Sequence, residues 1–235
     1  ITSAALTNDT TPTVSGTAEA NASISAVIAG ATYTTTATGG TWSVNTGTAT
    51  PASGSLSINA NGTNSVSVTA TDAATNTATA TQTLTIDTTG PTAAITYTGS
   101  SPYKNGQTVT ITATFGEAVA TTPKIAISGS GIASVSATNM SSTSATVWTY
   151  SYAVPTGDGT GTITLSAGAD AQGNTINSTP SSGATFTVDN TAPAVAITSA
   201  ALTNDTTPTV SGTAEANASI SAVIAGATYT TTATG

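Results

Sequence analysis

The sequence predicts an all-β protein made of tandem β-sandwich domains, and three observations support this prediction. Thr makes up about a quarter of the 235 residues, while charged residues make up only 5%. Because Thr is β-branched, it suits pleated strands and is a poor helix former. Apolar and polar residues alternate along the chain with the period of a strand, and no segment shows the helical period. The third observation is a long internal repeat, which indicates a tandem array.

The repeat defines the predicted domain organisation. Ile1–Gly39 recurs without a single change as Ile197–Gly235, an offset of 196 residues. Inside this unit lies a diverged repeat, because Leu84–Thr96 resembles Phe186–Thr198. Two domains of about 100 residues per unit have the size of an immunoglobulin-like sandwich. We therefore predict Greek-key, immunoglobulin-like domains at residues 1–88 and 89–190. Residues 191–235 would then be the N-terminal part of a further repeat, identical to the start of the first domain.

In the first domain, clusters of Gly, Asn, Asp and Pro separate the predicted strands. A short strand opens at Ile1, and six longer strands follow at residues 13–18, 23–29, 32–38, 41–45, 65–71 and 77–86. Seven strands are the number expected of a small sandwich. Alternation places eight residues in the core. These are Val14, Ile24, Trp42, Val44, Val66, Val68, Leu84 and Ile86.

The second domain shows the same alternation more clearly, in three sets of inward-facing residues. The first set is Val109, Ile111, Ala113 and Phe115. The second is Trp148, Tyr150, Tyr152 and Val154. The third is Ile163, Leu165, Phe186 and Val188. Each of the two Trp residues occupies an inward position of its strand, so both are interpreted as core residues.

The composition excludes several classes of function. The chain has no Cys and no His, which excludes disulfides, thiolate zinc sites and thiol nucleophiles. Its net charge of -8, with Lys104 and Lys124 as the only cationic side chains, lacks the basic surface that nucleic acids require. No stretch approaches the roughly 18 apolar residues of a membrane span, and the first residues do not resemble a signal peptide. We therefore expect a segment of a larger secreted protein, with no membrane insertion in this segment.

The carboxylates follow a pattern that points to the domain junctions. With the strands of each sandwich lettered A to G, the AB and EF loops and the end of strand G lie at the bottom. The BC and FG loops lie at the top. At the first junction this topology should bring together Asp9, Asp87, Glu117 and Asp170. At the second it should bring together Asp158, Asp189 and Glu215, while Asp205 repeats Asp9. At the top of the first domain, Glu19 and Asp72 occupy the same positions.

These acidic groups predict Ca²⁺ at the domain junctions. Two carboxylates about 5 Å apart repel each other by roughly 3 kcal/mol at an effective dielectric constant near 20, so four of them would separate the domains without a cation. Oxygen ligands alone, without His or Cys, favour Ca²⁺ over zinc or copper. Asn8, Asn174, Asn190 and backbone carbonyls could supply the remaining ligands. The alternative is that Asp and Asn lie in these loops simply because they favour turns.

Three segments carry a family resemblance that covers almost the whole chain. They are residues 12–19 (PTVSGTAE), 69–76 (TATDAATN) and 189–193 (DNTAP). The chain resembles the bacterial immunoglobulin-like repeats of giant, calcium-dependent, biofilm-associated adhesins of the cell surface. The resemblance implies an extended stalk whose junctions Ca²⁺ stiffens, with these acids at the family's loop and linker positions: Glu19, Asp72, Asp87, Glu117, Asp170 and Asp189.

Two departures from this pattern predict that the two kinds of junction differ in site geometry and affinity. The FG loop of the first domain has Thr75, whereas the second domain has the more usual Gly173. The first linker has Thr88, whereas the second has Asn190.

The predicted function is a structural stalk or spacer of an extracellular, cell-surface adhesin, whose partners are the adjacent repeats of the same chain. Enzymatic activity is not expected, because the acids lie at domain ends rather than converging in a pocket. The alternative function is a building block of a self-assembling filament, sheath or surface layer. The chain has few charged residues that would prevent its edge strands from pairing with those of other copies of the chain. A ladder of outward Thr residues from Thr75 to Thr85 could also order water at an ice surface, although any Thr-rich strand of this kind would show it.

Overall fold

The computed structural model of the chain describes residues 1–234, and every regular element in that part is a strand. The first domain contains eight strands. They are β1 (Leu6–Thr7), β2 (Thr13–Thr17), β3 (Ser23–Ile28), β4 (Ala31–Thr36), β5 (Thr41–Asn45), β6 (Ser53–Gly54), β7 (Asn61–Thr71) and β8 (Thr77–Asp87). The six longer predicted strands all form, with shifts of a few residues at their ends, whereas the short strands β1 and β6 were not predicted.

Two sheets face each other in the first domain. One sheet has six strands in the order β1-β8-β7-β3-β4-β6, and the other pairs β2 with β5. All pairs are antiparallel except β1 with β8, which run parallel. This parallel pairing places Leu6 and Thr7 beside Thr85 and Ile86, close to the end of β8. The turn that follows β1 therefore lies beside the first linker.

The second domain also forms two sheets, from eight strands. They are β9 (Ala93–Tyr97), β10 (Thr108–Phe115), β11 (Lys124–Ser128), β12 (Val135–Asn139), β13 (Ser141–Ser142), β14 (Val147–Ala153), β15 (Gly159–Ser166) and β16 (Thr185–Val188). One sheet has the order β13-β14-β10-β9, and the other has the order β12-β11-β15-β16. The connection between β15 and β16, residues 167–184, is long and irregular, and we call it the FG segment.

The remaining residues form two antiparallel strand pairs, of which the second repeats a hairpin of the first domain. They contain β17 (Val195–Ile197), β18 (Gly212–Ala214), β19 (Ser219–Ile224) and β20 (Ala227–Thr232). The pairing of β19 with β20 has the same register as that of β3 with β4. Gly235, the last residue of the predicted third unit, lies outside the described residues. We call residues 191–234 the third segment.

Burial confirms the predicted cores, and each domain has its own hydrophobic cluster. Every predicted inward residue is buried except Tyr150, which is half-buried at the margin of the second core. Trp42 and Trp148 are both core residues, as expected. Trp42 lies directly over Gly16, where a Cβ would come within 2.6 Å of its ring. Several large buried residues were not predicted from the alternation, including Tyr33, Tyr103 and Met140.

The predicted strand at Ile1 does not form among the described residues. Instead, the backbone amides of Thr2 and Ser3 both donate to the carbonyl of Ser15, at 2.8 and 3.3 Å. The same shared acceptor recurs in the third segment, where the amides of Thr198 and Ser199 donate to the carbonyl of Ser211 directly after β17. The first strand starts only at Leu6, where the chain has crossed to the edge of β8.

The all-β, immunoglobulin-like sandwich architecture is therefore confirmed. Among residues 1–234, no helix is long and apolar enough to cross a bilayer. The Thr ladder of β8 is exposed from Thr77 to Thr83, and its hydroxyls face away from the core.

Candidate metal site at the domain junction

Three carboxylates from two successive domains converge at the first junction. Asp87, Glu117 and Asp170 each place one carboxylate oxygen within 4.8 Å of the other two. Asp87 and Glu117 are half-buried, whereas Asp170 is only 5% exposed. Their positions in the chain are far apart, so the fold rather than the local sequence brings them together.

Each member of the group lies at the end of a different strand or in the loop that follows it. Asp87 is the last residue of β8 in the first domain. Glu117 follows β10, and Asp170 follows β15, at the top of the second domain. The sheet ladders fix the backbone of Asp87 at the end of β8 and of Glu117 just after β10, whereas Asp170 lies in a turn of the FG segment.

Hydrogen bonds within the FG segment hold the Asp170 carboxylate in place. One oxygen accepts from the amides of Gln172 and Asn174, both at 2.9 Å, and the other accepts from Asn174 Nδ2 at 2.8 Å. A carboxylate has about four lone-pair positions, so three donors leave room for one further partner. The free position is the one available to a cation shared with Asp87 and Glu117.

The group is electrostatically unfavourable on its own. Burial raises the pKa of Glu117 above its ordinary value, and the negative charges of Asp87 and Asp170 raise it further. Unit charges at this separation repel by roughly 3 kcal/mol per pair at an effective dielectric constant of 20, before solvent screens the more exposed members. Either a proton on Glu117 or a bound cation would relieve this repulsion.

The donor set fits a hard divalent cation. All available ligand atoms are oxygens, and Ca²⁺ binds six to eight oxygens from carboxylates, carbonyls and amides. Asn174 lies in the same place, since its Nδ2 donates 2.8 Å to the backbone carbonyl of Asp87. Asn8 also faces the FG segment, with its Nδ2 3.8 Å from the position that a Cβ on Gly173 would take. Two of the predicted amide ligands are therefore at the junction.

Asp9, the fourth member of the predicted group, lies apart from the other three carboxylates in this structure. The AB turn lies at the junction as expected, but the carboxylate of Asp9 is not one of the converging oxygens. Instead, its Oδ1 accepts from the backbone amide of Thr11 at 2.7 Å and from the Thr11 hydroxyl at 2.9 Å. This local turn engages Oδ1 of Asp9 within its own loop. Asp205 repeats the turn with Thr207, at 2.9 and 3.1 Å.

The predicted group at the second junction is also not assembled in the described residues. The carboxylate of Asp158 accepts from the amide of Asn190 and from the hydroxyl of Thr191 in the second linker. These hydrogen bonds lower the pKa of Asp158 below its ordinary value, with the Thr191 hydroxyl as the largest cause. Asp189 accepts from the amide of Thr191 at 3.0 Å. Glu215 is exposed and is not part of any acidic group of this kind.

Glu19 and Asp72 lie together at the top of the first domain, as predicted. Both line a cavity of about 320 Å³ whose walls include Ile1 and Trp42. The Asp72 carboxylate accepts from the amide of Asn76 at 2.8 Å and from its Nδ2 at 2.7 Å. This is the same arrangement that Asp170 makes with Asn174, so the two FG loops present their carboxylates in the same way.

One difference between these loops predicts a change in stability. Thr75 has a φ of 72°, and its counterpart Gly173 has a φ of 88°. A β-branched residue in this left-handed region carries roughly 1–2 kcal/mol of strain, whereas glycine costs about 0.5–1 kcal/mol more entropy on folding. We expect Thr75→Gly to stabilise the first domain by about 0.5–1 kcal/mol in urea denaturation.

The matched control is Gly173→Ala, which should destabilise the second domain by roughly 1 kcal/mol. Its new Cβ would make only an ordinary contact, 3.8 Å from Asn8, so the effect comes from the backbone. Destabilisation of the first domain by Thr75→Gly would contradict the assigned strain.

Sequence reasoning missed the residues that fix the linkers. Asn61 Oδ1 accepts from the Thr88 amide at 2.8 Å and from the hydroxyls of Thr88 and Thr89 at 2.9 and 3.0 Å. Gly90 was missed as well: a Cβ there would lie 1.8 Å from the backbone carbonyl oxygen of Thr175 in the FG segment. An amide of this kind carries no charge, so the search for carboxylates could not find it.

Comparison with known families agrees with this architecture. Residues 2–88 match the family model of a bacterial Ig-like domain. The first domain is therefore similar to bacterial Ig-like domains. Residues 197–235 repeat residues 1–39 without change, so they have the same sequence as the start of the matched region.

Among solved structures, the chain is similar to a tetra-tandem repeat in the extending region of a large adhesion protein. The two share 22% sequence identity with a TM-score of 0.35, over 97% of this chain and 60% of the other. The chain therefore spans about 60% of the length of that structure. No curated protein matches the chain.

Proposed function

We propose that the chain is a stalk segment of an extracellular, cell-surface adhesin, in which Ca²⁺ stiffens the junction between successive bacterial Ig-like domains. The observation that carries the proposal is the convergence of Asp87 from one domain with Glu117 and Asp170 from the next. A cation bound to all three would join the two domains through its own coordination bonds. Such a joint turns a flexible tandem chain into a rod.

The proposed site explains why acids gather where two domains meet. Turn preference accounts for Asp and Asn in loops, but it acts within one loop and does not attract carboxylates from separate domains. Repulsion within the group works against the junction when no cation is present: burial raises the pKa of Glu117 most, and the negative charges of Asp87 and Asp170 raise it further. A divalent cation reverses the sign of the interaction and makes the same group attractive.

The role proposed is structural rather than catalytic. The three carboxylates do not line the cavity that contains Trp42 and Asp72, which lies at the other end of the first domain. The chain has no His or Cys that could serve as a base or nucleophile. The proposed partners of each domain are its neighbours in the tandem array.

Small-angle X-ray scattering of the 235-residue chain, in millimolar Ca²⁺ and in chelator, tests the proposal. We expect a rigid, extended arrangement of the first two domains in Ca²⁺ and a broader range of interdomain angles in chelator. Identical scattering under both conditions would contradict calcium stiffening. Particles that grow with protein concentration would instead favour the self-assembling filament.

A further inference from the structure

The dipeptide Asn-Gly occurs twice in the chain, as Asn61–Gly62 and as Asn105–Gly106. In this dipeptide the amide nitrogen of the glycine can attack the side-chain carbonyl carbon of the asparagine, because no Cβ on the second residue obstructs the approach. The structure places the two copies in opposite environments. One lies in a sheet ladder with its side chain engaged, and the other lies in an exposed turn.

Asn105 and Gly106 form the centre of a tight turn just before β10, at the bottom of the second domain. The amide of Gln107 donates to the carbonyl of Lys104 at 3.2 Å, which closes the turn. Both central residues are exposed. Gly106 has a φ of 85°, a left-handed conformation that glycine adopts without strain. The reacting atoms are therefore open to water and carry no neighbouring side chain at the second position.

The side-chain amide of Asn105 and the backbone amide of Gly106 share one acceptor. Asn105 Nδ2 donates to the carbonyl of Val154 at 3.2 Å, and the amide of Gly106 donates to the same oxygen at 3.4 Å. This carbonyl holds the side chain of Asn105 on the same side of the turn as the Gly106 nitrogen. At 3.4 Å the bond to Gly106 is longer than the usual value of about 2.9–3.0 Å, so it retains this nitrogen only weakly.

Asn61–Gly62 supplies the internal comparison. Three donors from the first linker bond to Asn61 Oδ1, at 2.8, 2.9 and 3.0 Å. Both residues also lie in the ladder between β7 and β8, opposite Asp87 and Ile86. Attack by the Gly62 nitrogen would require the side chain to leave these donors and the backbone to leave the ladder. The same dipeptide should therefore react much more slowly here.

We propose that Asn105 is a site of spontaneous deamidation, in which water converts its side-chain amide into a carboxylate. Hydroxide removes the proton of the Gly106 amide, and this nitrogen attacks Asn105 Cγ to form a cyclic succinimide. The bond from Cγ to Nδ2 breaks, and Nδ2 takes up a proton and leaves as ammonia. Water then adds to Cγ and opens the ring to aspartate, or adds to the backbone carbonyl carbon and opens it to isoaspartate. The balance is one water consumed and one ammonia released, with no change of oxidation state.

The product changes a turn to which the second linker is bonded. The backbone amide of Asn105 donates to Asn190 Oδ1 at 2.6 Å, and the amide of Asn190 donates to the carboxylate of Asp158. A carboxylate has no donor for the carbonyl of Val154, so that hydrogen bond is lost. Isoaspartate also lengthens the backbone of the turn by one methylene. The modification therefore removes a hydrogen bond and adds negative charge where Asn190 attaches to the second domain.

Mass spectrometry of the full chain, incubated in the folded state at neutral and at mildly alkaline pH, tests this inference. Trypsin cleaves only after Lys104 and Lys124, so residues 105–124 form one peptide whose only asparagine is Asn105. We expect this peptide to gain the mass of amide-to-acid conversion and to include isoaspartate, at a rate that rises with pH. A sample digested without incubation gives the background from the digestion itself. Conversion at Asn61 should be slower by about tenfold or more, because it requires local opening of the ladder.

Two controls separate the effect of the turn from that of the dipeptide. In urea, which removes the structural difference, Asn61 and Asn105 should convert at similar rates. Asn105→Gln keeps the amide but needs a larger ring, so conversion in peptide 105–124 should stop. Conversion that persists in this variant would assign the reaction to Gln107 and contradict the inference. Fluorescence of the buried Trp148 reports whether the second domain remains folded. An unconverted Asn105 in the folded chain, under conditions in which the urea sample converts, overturns the inference.

Discussion

Replacing Tyr33 with alanine should lower the free energy of unfolding of the first domain by about 3–5 kcal/mol, the usual loss for a large aromatic core residue. Tyr33 is 2% exposed and packs between the two sheets. Its counterpart Tyr229 lies in a stretch of identical sequence but is 58% exposed. Tyr229→Ala should therefore change stability by less than about 0.5 kcal/mol.

The pair of variants separates tertiary packing from local sequence effects. Urea denaturation, followed through the NMR signals of the first domain, measures the change for each variant. Helix or strand propensity, hairpin register and neighbouring residues are the same at the two positions, so the difference comes from burial alone. Equal losses in the two variants would show that Tyr33 acts through its own hairpin rather than through the core.

Calcium should stabilise the chain against thermal unfolding, and Asp87→Asn should remove most of that effect. At a Ca²⁺ concentration of 100 times Kd, one site on the folded state contributes about 2.7 kcal/mol. Asp87 supplies one of three converging carboxylates, so Asp87→Asn removes a charged ligand. The hydrogen bond from the Thr89 amide, which Asp87 Oδ1 accepts, can still be accepted by the amide oxygen of the variant. Calorimetric titration and thermal unfolding, each with and without Ca²⁺, give the two measurements.

Asp9→Asn is the matched control for this experiment. It is the same chemical change in the same domain, but the Asp9 carboxylate is bonded to Thr11 within its own turn. Since an Asn oxygen accepts the same two hydrogen bonds, calcium stabilisation should remain at its full value. If Asp9→Asn removes the calcium effect as completely as Asp87→Asn, Asp9 is a ligand and the three-membered group is incomplete.

The sequence predicted most of the core because alternation marks which side of a strand faces inward. It could not place Tyr33 or Tyr103 there, because Tyr33 stands alone among Thr residues and Tyr103 lies between Pro102 and Lys104, outside any alternating run. The acidic group was predicted from topology, which assigns each loop to one end of a sandwich. Topology cannot show where a carboxylate points, and Asp9 illustrates this, since a local turn binds its side chain before it can reach the junction.

The limits of prediction at the linkers have a different cause. Gly90 and Asn61 act through backbone contact and through an uncharged amide, so neither stands out by charge or hydrophobicity. Their importance depends on which segment of the next domain, or of the same domain, comes within contact distance. Only the three-dimensional arrangement supplies that information.

The identical stretches of the first domain and the third segment show how far the local sequence acts by itself. It determines the β3–β4 hairpin and its copy β19–β20, with the same register and nearly the same turn, in which Ala29 and Ala225 have φ values of 44° and 50°. Short-range hydrogen bonds and backbone sterics suffice for such a hairpin. Burial of Tyr33 and the meeting of Asp87 with Asp170 were decided by tertiary structure, because both require strands or loops that are distant in the chain to pack together.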